Sequence, residues 1–170
     1  MDVDGALIRD ILSKLMSDDH VMILDKLDEP KKDEELAYEL NMKETVVRTL
    51  LNDLHGEGLV EYERSKNKKT GWYTYIWKKR EDKIREYVIN YLQSELNRLY
   101  RRLEAEENGS IFSCECSRVT FEMALEMNFI CPECNKPFMQ YKNDEIISKL
   151  KERISEIEKT LERLGVIIDK

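Results

Sequence analysis

Apolar residues recur at helical spacing through the first half of the chain. Ile8, Ile11, Leu12 and Leu15 mark one amphipathic helix, and Val21, Ile23, Leu24 and Leu27 mark a second. Between them Ser17-Asp18-Asp19 offers an N-cap, because a serine hydroxyl accepts from the free amides of a helix's first turn. Beyond Pro30, Leu36, Ala37 and Leu40 predict a third short helix. Val46, Val47, Leu50, Leu51 and Leu54 predict a fourth, with Asn41 as its N-cap and Glu44 completing a capping box. That helix ends at His55-Gly56-Glu57-Gly58. Two strand-like runs follow, Leu59-Val60-Glu61-Tyr62 and Trp72-Tyr73-Thr74-Tyr75-Ile76-Trp77, joined into a hairpin by a polar loop ending in Gly71. Helices, a short turn, a further helix and a hairpin form the order of a winged helix-turn-helix, expected over residues 1–80.

Residues 81–107 read as one long polar linker helix. Ile84, Val88, Tyr91, Glu95, Arg98 and Arg102 lie along one line, with Leu92, Leu96, Leu99 and Leu103 beside it. Within residues 142–170, Ile147, Leu150, Ile154, Ile157, Leu161 and Leu164 alternate steps of three and four, which makes a continuous apolar seam. A seam of this kind does not stay in water. Short connections favour an antiparallel pair, with this seam facing Ile84, Val88, Leu92 or Tyr91, Leu96 or Glu95, and Leu99. Pairing between two copies of the chain is the alternative.

All four cysteines fall in the intervening segment, residues 108–141, as Cys114-x-Cys116 and Cys131-x-x-Cys134. Two close pairs supply four thiolates to one tetrahedral centre, and Zn²⁺ most often takes such a set, at Zn–S distances of about 2.3 Å. Four thiolates leave no open coordination position, so the expected zinc is structural. Asn135, just after the last cysteine, is the residue suited to the positive φ that such a turn needs. Disulfides are the competing reading. The acidic N-terminus lacks the order of a secretory signal, and no apolar run approaches a membrane span, so a cytoplasmic, reducing setting is expected and favours the metal. The fold class is therefore mostly α with small β: a winged helix-turn-helix domain, a long antiparallel helix pair and a small zinc ribbon.

Charge changes the picture locally. The chain carries a net charge of −7, which excludes a DNA-coating polycation. Yet Arg64, Lys66, Lys68, Lys69, Lys78, Lys79 and Arg80 form a basic run without an acid among them. The fourth helix presents Lys43, Glu44, Arg48, Asn52 and Asp53, whose charges nearly cancel. That balance suits a protein-docking face better than readout of base edges. The wing differs, with Lys66, Lys68 and Lys69 at the tip and Trp72 and Tyr73 just past it. Aromatic rings among cations suit unpaired bases, though a solvated charged wing has the same composition. Strand alternation separates Trp72, Thr74 and Ile76 from Tyr73, Tyr75 and Trp77, and one of these faces is expected to pack on the helices. His20 and His55 read as cap or surface groups, the glycines build no phosphate-cradling loop, and no catalytic set emerges, so an enzyme is not expected.

The whole arrangement resembles archaeal transcription factor E, counterpart of the alpha subunit of general factor IIE. The resemblance rests on Val119-Thr120-Phe121-Glu122-Met123-Ala124-Leu125-Glu126, on Phe129-Ile130-Cys131-Pro132-Glu133-Cys134, and on the Gly56-Glu57-Gly58-Leu59-Val60 exit into the wing. The family usually has two residues between its first two cysteines, where this chain has only Glu115. The resemblance implies a general transcription factor, not an enzyme, that binds RNA polymerase at its clamp and stalk and favours promoter opening. It places the wing near promoter DNA at the upstream edge of the bubble, with TATA-binding protein and factor B in the same complex. It leaves room for a second factor E subunit and implies no membrane partner. By position, the family's wing-tip role falls on Lys66, Lys68, Lys69, Trp72 and Tyr73. A stand-alone zinc-containing winged-helix regulator of duplex operator DNA is the alternative, and would need a basic fourth helix. A zinc-ribbon adaptor without nucleic-acid contact would leave the wing unexplained.

Overall fold

In the computed structural model, which describes residues 3–169, the apolar stripes become thirteen elements. Helix α1 (Val3–Leu15) is followed by α2 (Asp18–Lys26), whose N-cap Ser17 accepts from the backbone N–H of His20. A two-residue strand β1 (Lys31–Lys32) precedes α3 (Asp33–Leu40) and α4 (Glu44–Gly56). Strands β2 (Val60–Lys66) and β3 (Tyr73–Lys79) make the hairpin, and β1 pairs with β3 to give the antiparallel order β1-β3-β2. From α2 to β3 this is the winged helix-turn-helix. Its core is aliphatic, with Ile23, Leu36, Val47 and Leu51 fully buried and Leu27, Leu54, Leu59 and Val60 nearly so.

The turn between α3 and α4 differs from the expected one. Asn41 closes α3 as its C-cap at φ 53°, and Lys43 occupies the N-cap of α4. The backbone N–H of Met42 donates to Ala37 at 2.9 Å, a helix-ending bond that a left-handed asparagine permits. The reciprocal bond of a capping box forms one helix earlier, where Glu35 accepts from the backbone N–H of Lys32 at 3.0 Å. Gly58, at φ 75°, likewise ends α4, and the N–H of Leu59 returns to Leu54 at 3.0 Å.

Helix α5 (Glu81–Asn108) begins in one compact unit, which extends to Tyr91, and ends in a second that starts at Leu92. Its buried stripe is Ile84, Val88, Leu92, Leu96 and Leu99, while Tyr91 is exposed. Ile84 lines a cleft of the first unit with Ile8, Leu12, Val21 and Leu24. It therefore serves the winged unit, not the C-terminal seam expected to face it.

In the second unit α7 (Asp144–Arg163) buries Leu150, Ile154, Ile157 and Leu161. Lys151 pairs with Glu107 at 2.8 Å, and Tyr100 hydrogen-bonds Glu158, so position along α5 falls as position along α7 rises. The two helices are antiparallel within one chain. Asn143 fixes the start of α7 by donating 2.8 Å bonds to the Glu106 carbonyl and carboxylate. Between them lie β4 (Ile111–Ser113), β5 (Arg118–Thr120), α6 (Phe121–Glu126) and β6 (Met139–Gln140), with the strands in the order β5-β4-β6.

Candidate metal centre and nucleic-acid interface

Two hairpin-like turns bring the cysteines together. The first joins β4 to β5, where the N–H of Cys114 donates to the Ser117 carbonyl at 3.0 Å. The second runs between Ile130 and Pro137, which form an isolated bridge. Within it the N–H of Cys131 donates to Lys136 and that of Asn135 to Cys131, each at 2.9 Å. Asn135 stands at φ 57°, the left-handed conformation expected of it.

The sulfurs of Cys114, Cys116, Cys131 and Cys134 all lie within 4.8 Å of one another, with Cys114–Cys116 and Cys116–Cys131 at 3.5 Å. A tetrahedral centre with metal–sulfur bonds of about 2.3 Å spaces its sulfurs about 3.8 Å apart. The donor set and its spacing therefore fit one metal ion. Electrostatics point the same way. The hydroxyl of Ser117, with help from backbone amides, lowers the Cys114 thiol to about 6, whereas hydrogen bonding to Cys114 and Cys131 pushes Cys116 up to about 12. One thiolate forms at its neighbour's expense, and a shared cation removes that competition. The single-residue spacing of the first pair leaves all four sulfurs in reach, with Glu115 at the turn paired to Lys136 of the second turn.

The wing is built by a different device. The side chain of Asn67 accepts from the backbone N–H groups of Lys69 (2.9 Å) and Thr70 (3.3 Å). Its own N–H donates to Trp72 at 2.8 Å, and Gly71 turns at φ 75°. This tight tip displays Lys68 and Lys69, and leaves Trp72 76 % exposed. Lys66 is not in the loop but ends β2, directly opposite Tyr73 and 5.7 Å from its ring. Arg64, which sequence reasoning counted in the basic run but not among the wing's contact residues, lies closer, 4.5 Å over the same ring. The hairpin register would have revealed it, since Arg64 and Lys66 alternate onto the side that carries Tyr73.

The basic run is less uniform than its sequence. Lys78 pairs with Glu61 at 2.9 Å, Arg80 with Glu61 and Asp82 at 3.3 and 3.1 Å, and Lys79 with Glu81 at 3.6 Å. Among the described residues Arg64, Lys66, Lys68 and Lys69 make no such ion pair. On α4, Arg48 is held by the largely buried Asp33 at 2.5 Å and by Glu44 at 3.2 Å, and Asp53 meets His20 at 3.2 Å. On the helix that would read a major groove Arg48 is already engaged, which leaves Lys43 at its N-cap as the remaining lysine.

The chain thus combines a winged helix-turn-helix, a compact four-cysteine module and an antiparallel helix pair. The model of the TFIIE alpha subunit matches residues 6–108. Transcription factor E of Metallosphaera sedula is 36% identical over 162 residues, which cover 92% of both chains. That of Methanococcus vannielii is 35% identical across 92% of this chain and 93% of its own. The chain belongs to the transcription factor E family, the TFIIE alpha group. Among solved structures, a possible transcriptional regulator from Methanosarcina mazei Go1 has the same fold over 59% of this chain and 85% of its own, at a TM-score of 0.50 and 19% identity. No helix of the described residues is long and apolar enough to cross a membrane.

Proposed function

We propose that this chain is a general initiation factor that binds RNA polymerase, without catalysis of its own, and promotes opening of promoter DNA. The contrast between α4 and the wing carries the reading. Arg48 is occupied by Asp33 and Glu44, which leaves α4 ill suited to base readout and free to face a protein. The wing extends uncompensated lysines and an exposed tryptophan, which suit DNA already brought near by a larger partner. On this reading polymerase, at its clamp and stalk, supplies the docking site. TATA-binding protein and factor B share the complex, and the nucleoid is the place of action.

Cys114, Cys116, Cys131 and Cys134 hold one Zn²⁺, which supplies a structural cross-link and no reactive position. Lys66, Lys68, Lys69, Trp72 and Tyr73 contact DNA at the upstream edge of the bubble. The domain assignment that goes with this is a winged module to residue 80, a linker helix to 107, a ribbon to 141 and a pairing helix beyond.

Permanganate reactivity of promoter thymines, measured with purified polymerase and factors, tests the reading. Trp72→Ala should lower the open population several-fold, because one lost base stack costs about 1–3 kcal/mol, while co-purification with polymerase persists. A chain that ignores polymerase and binds one duplex operator tightly would be a stand-alone regulator instead.

A further inference from the structure

The two cysteine turns follow one plan up to a single position. In the second, the backbone N–H groups of Glu133 and Cys134, two and three residues on, hydrogen-bond the sulfur of Cys131. In the first, those of Cys116 and Ser117, again two and three residues on, do the same for Cys114. There the plans part. Three residues after Cys131 stands a cysteine, whereas three residues after Cys114 stands Ser117. The first turn takes its second thiol from Cys116, one residue early and exposed, where Cys134 is partly buried. Yet Ser117, itself partly buried, still turns its hydroxyl to the sulfurs. It lies 3.4 Å from Cys114 and 3.9 Å from Cys131, and it bonds Cys116 as well.

We propose that Ser117 positions the thiolates of the metal centre: its hydroxyl donates to Cys114, with Cys131 in reach as a second acceptor, and does not itself bind the ion. The proposal rests on the four cysteines holding a metal, and adds the residue that makes their uneven spacing workable. Three observations favour donation over ligation. Four thiolates around a dication keep two negative charges, which O–H and N–H donors at the sulfurs offset. The four sulfurs already lie within 4.8 Å of one another, a complete set for a tetrahedral ion. A neutral hydroxyl is a harder and weaker ligand for zinc than thiolate, but it carries an O–H that a thiolate accepts. Groups that hold ligands in this way are worth about 10- to 100-fold in metal affinity.

The test loads the full chain with Zn²⁺ and with Co²⁺, whose sulfur-to-metal charge-transfer band reports how electron-rich the thiolates are. In competition with a chromophoric chelator, Ser117→Ala should bind zinc about 10- to 100-fold more weakly than wild type. Its cobalt band should move to lower energy. Ser117→Ala keeps the backbone carbonyl that accepts from the N–H of Cys114 at 3.0 Å, so the turn itself stays. Ser117→Thr, which restores the hydroxyl, should bring back both affinity and band. Glu115→Gln, which breaks the ion pair to Lys136 at the exposed side of the same turn, should leave the band in place. X-ray absorption of the zinc form should show four sulfurs at about 2.3 Å. Three sulfurs and one oxygen would make Ser117 a ligand and overturn the proposal. Wild-type affinity in Ser117→Ala would overturn it too. So would weakened affinity with an unmoved band, which would mark Ser117 as a turn residue only. Failure of the wider reading is distinct, since the wild-type chain itself would then bind neither metal.

Discussion

The winged unit and the ribbon are held together by different forces. The winged unit buries side chains from α1 to α4, the first turns of α5 and two strands, with Ile23, Leu36, Val47 and Leu51 at zero exposure. The ribbon buries only Ala124, Cys131 and Phe138, with Phe112, Val119, Met127 and Phe129 packed partly around them. Three mutually tilted phenylalanines, Phe112, Phe121 and Phe129, have ring centroids 5.3 to 6.0 Å apart and leave Phe121 43% exposed. So small a core does not offset the chain entropy of ordering a thirty-residue module, which is why modules of this size rely on a cross-link. The four sulfurs occupy the place where that cross-link belongs.

The sharpest way to break this comparison is to deny the four cysteines their proposed zinc. Structural zinc in small modules is worth about 10–16 kcal/mol of apparent binding at neutral pH. A strong chelator, or Cys131→Ser, should therefore collapse the amide dispersion of residues 111–141 while the winged unit keeps its spectrum. Native dispersion of those residues in metal-free protein would show that the aromatic cluster suffices. The next largest effect is expected on the other side. Leu51→Ala leaves a cavity in a fully packed core and should destabilise the winged unit by about 2–5 kcal/mol. Thermal melting should report it, with bound zinc per chain unchanged. A fall in zinc content with Leu51→Ala would mean the two units do not hold themselves independently.

Sequence periodicity served best where most of a stripe is buried. α4 and α7 follow most of their apolar residues, burying Val47, Leu50, Leu51 and Leu54 on one and Leu150, Ile154, Ile157 and Leu161 on the other, although Val46 of the expected stripe is 42% exposed and Ile147 only partly covered. The clustering of the four cysteines and the left-handed Asn135 were equally legible, because tight turns that bring close cysteine pairs together constrain residue type directly. Local reading failed where distant partners decide. β1 is two lysines that carry no pattern of their own and become a strand only by pairing with Ile76 and Trp77. Asn41 suits either end of a helix, and the packing of α3 against α4 settles it as a C-cap. Ile84 shares a stripe with Leu92, but helix length carries it into a different core. The two faces of the wing required the register, and register depends on where the six-residue tip closes.

The smallest expected effect separates the same two regions by pH. At the base of the wing Lys78 donates a hydrogen bond to Glu61, and with Arg80 nearby holds its carboxyl below the usual carboxylate range. A carboxyl depressed in the folded state stabilises the fold above its unfolded value, about 4.3, and loses that contribution as pH falls through its folded value. The groups are exposed, so the contribution to stability is slight and screened by salt. Backbone amides of Glu61 and Lys78 should therefore hold their shifts from neutrality down to about pH 4 and move only below it. Glu61→Gln should abolish that movement. The ribbon should respond earlier in the same titration, because releasing the metal requires its thiolates to take up protons. An acid titration followed by NMR should thus show residues 111–141 changing before the wing base. The reverse order would mean that the ribbon's packing, and not its cross-link, sets its limit.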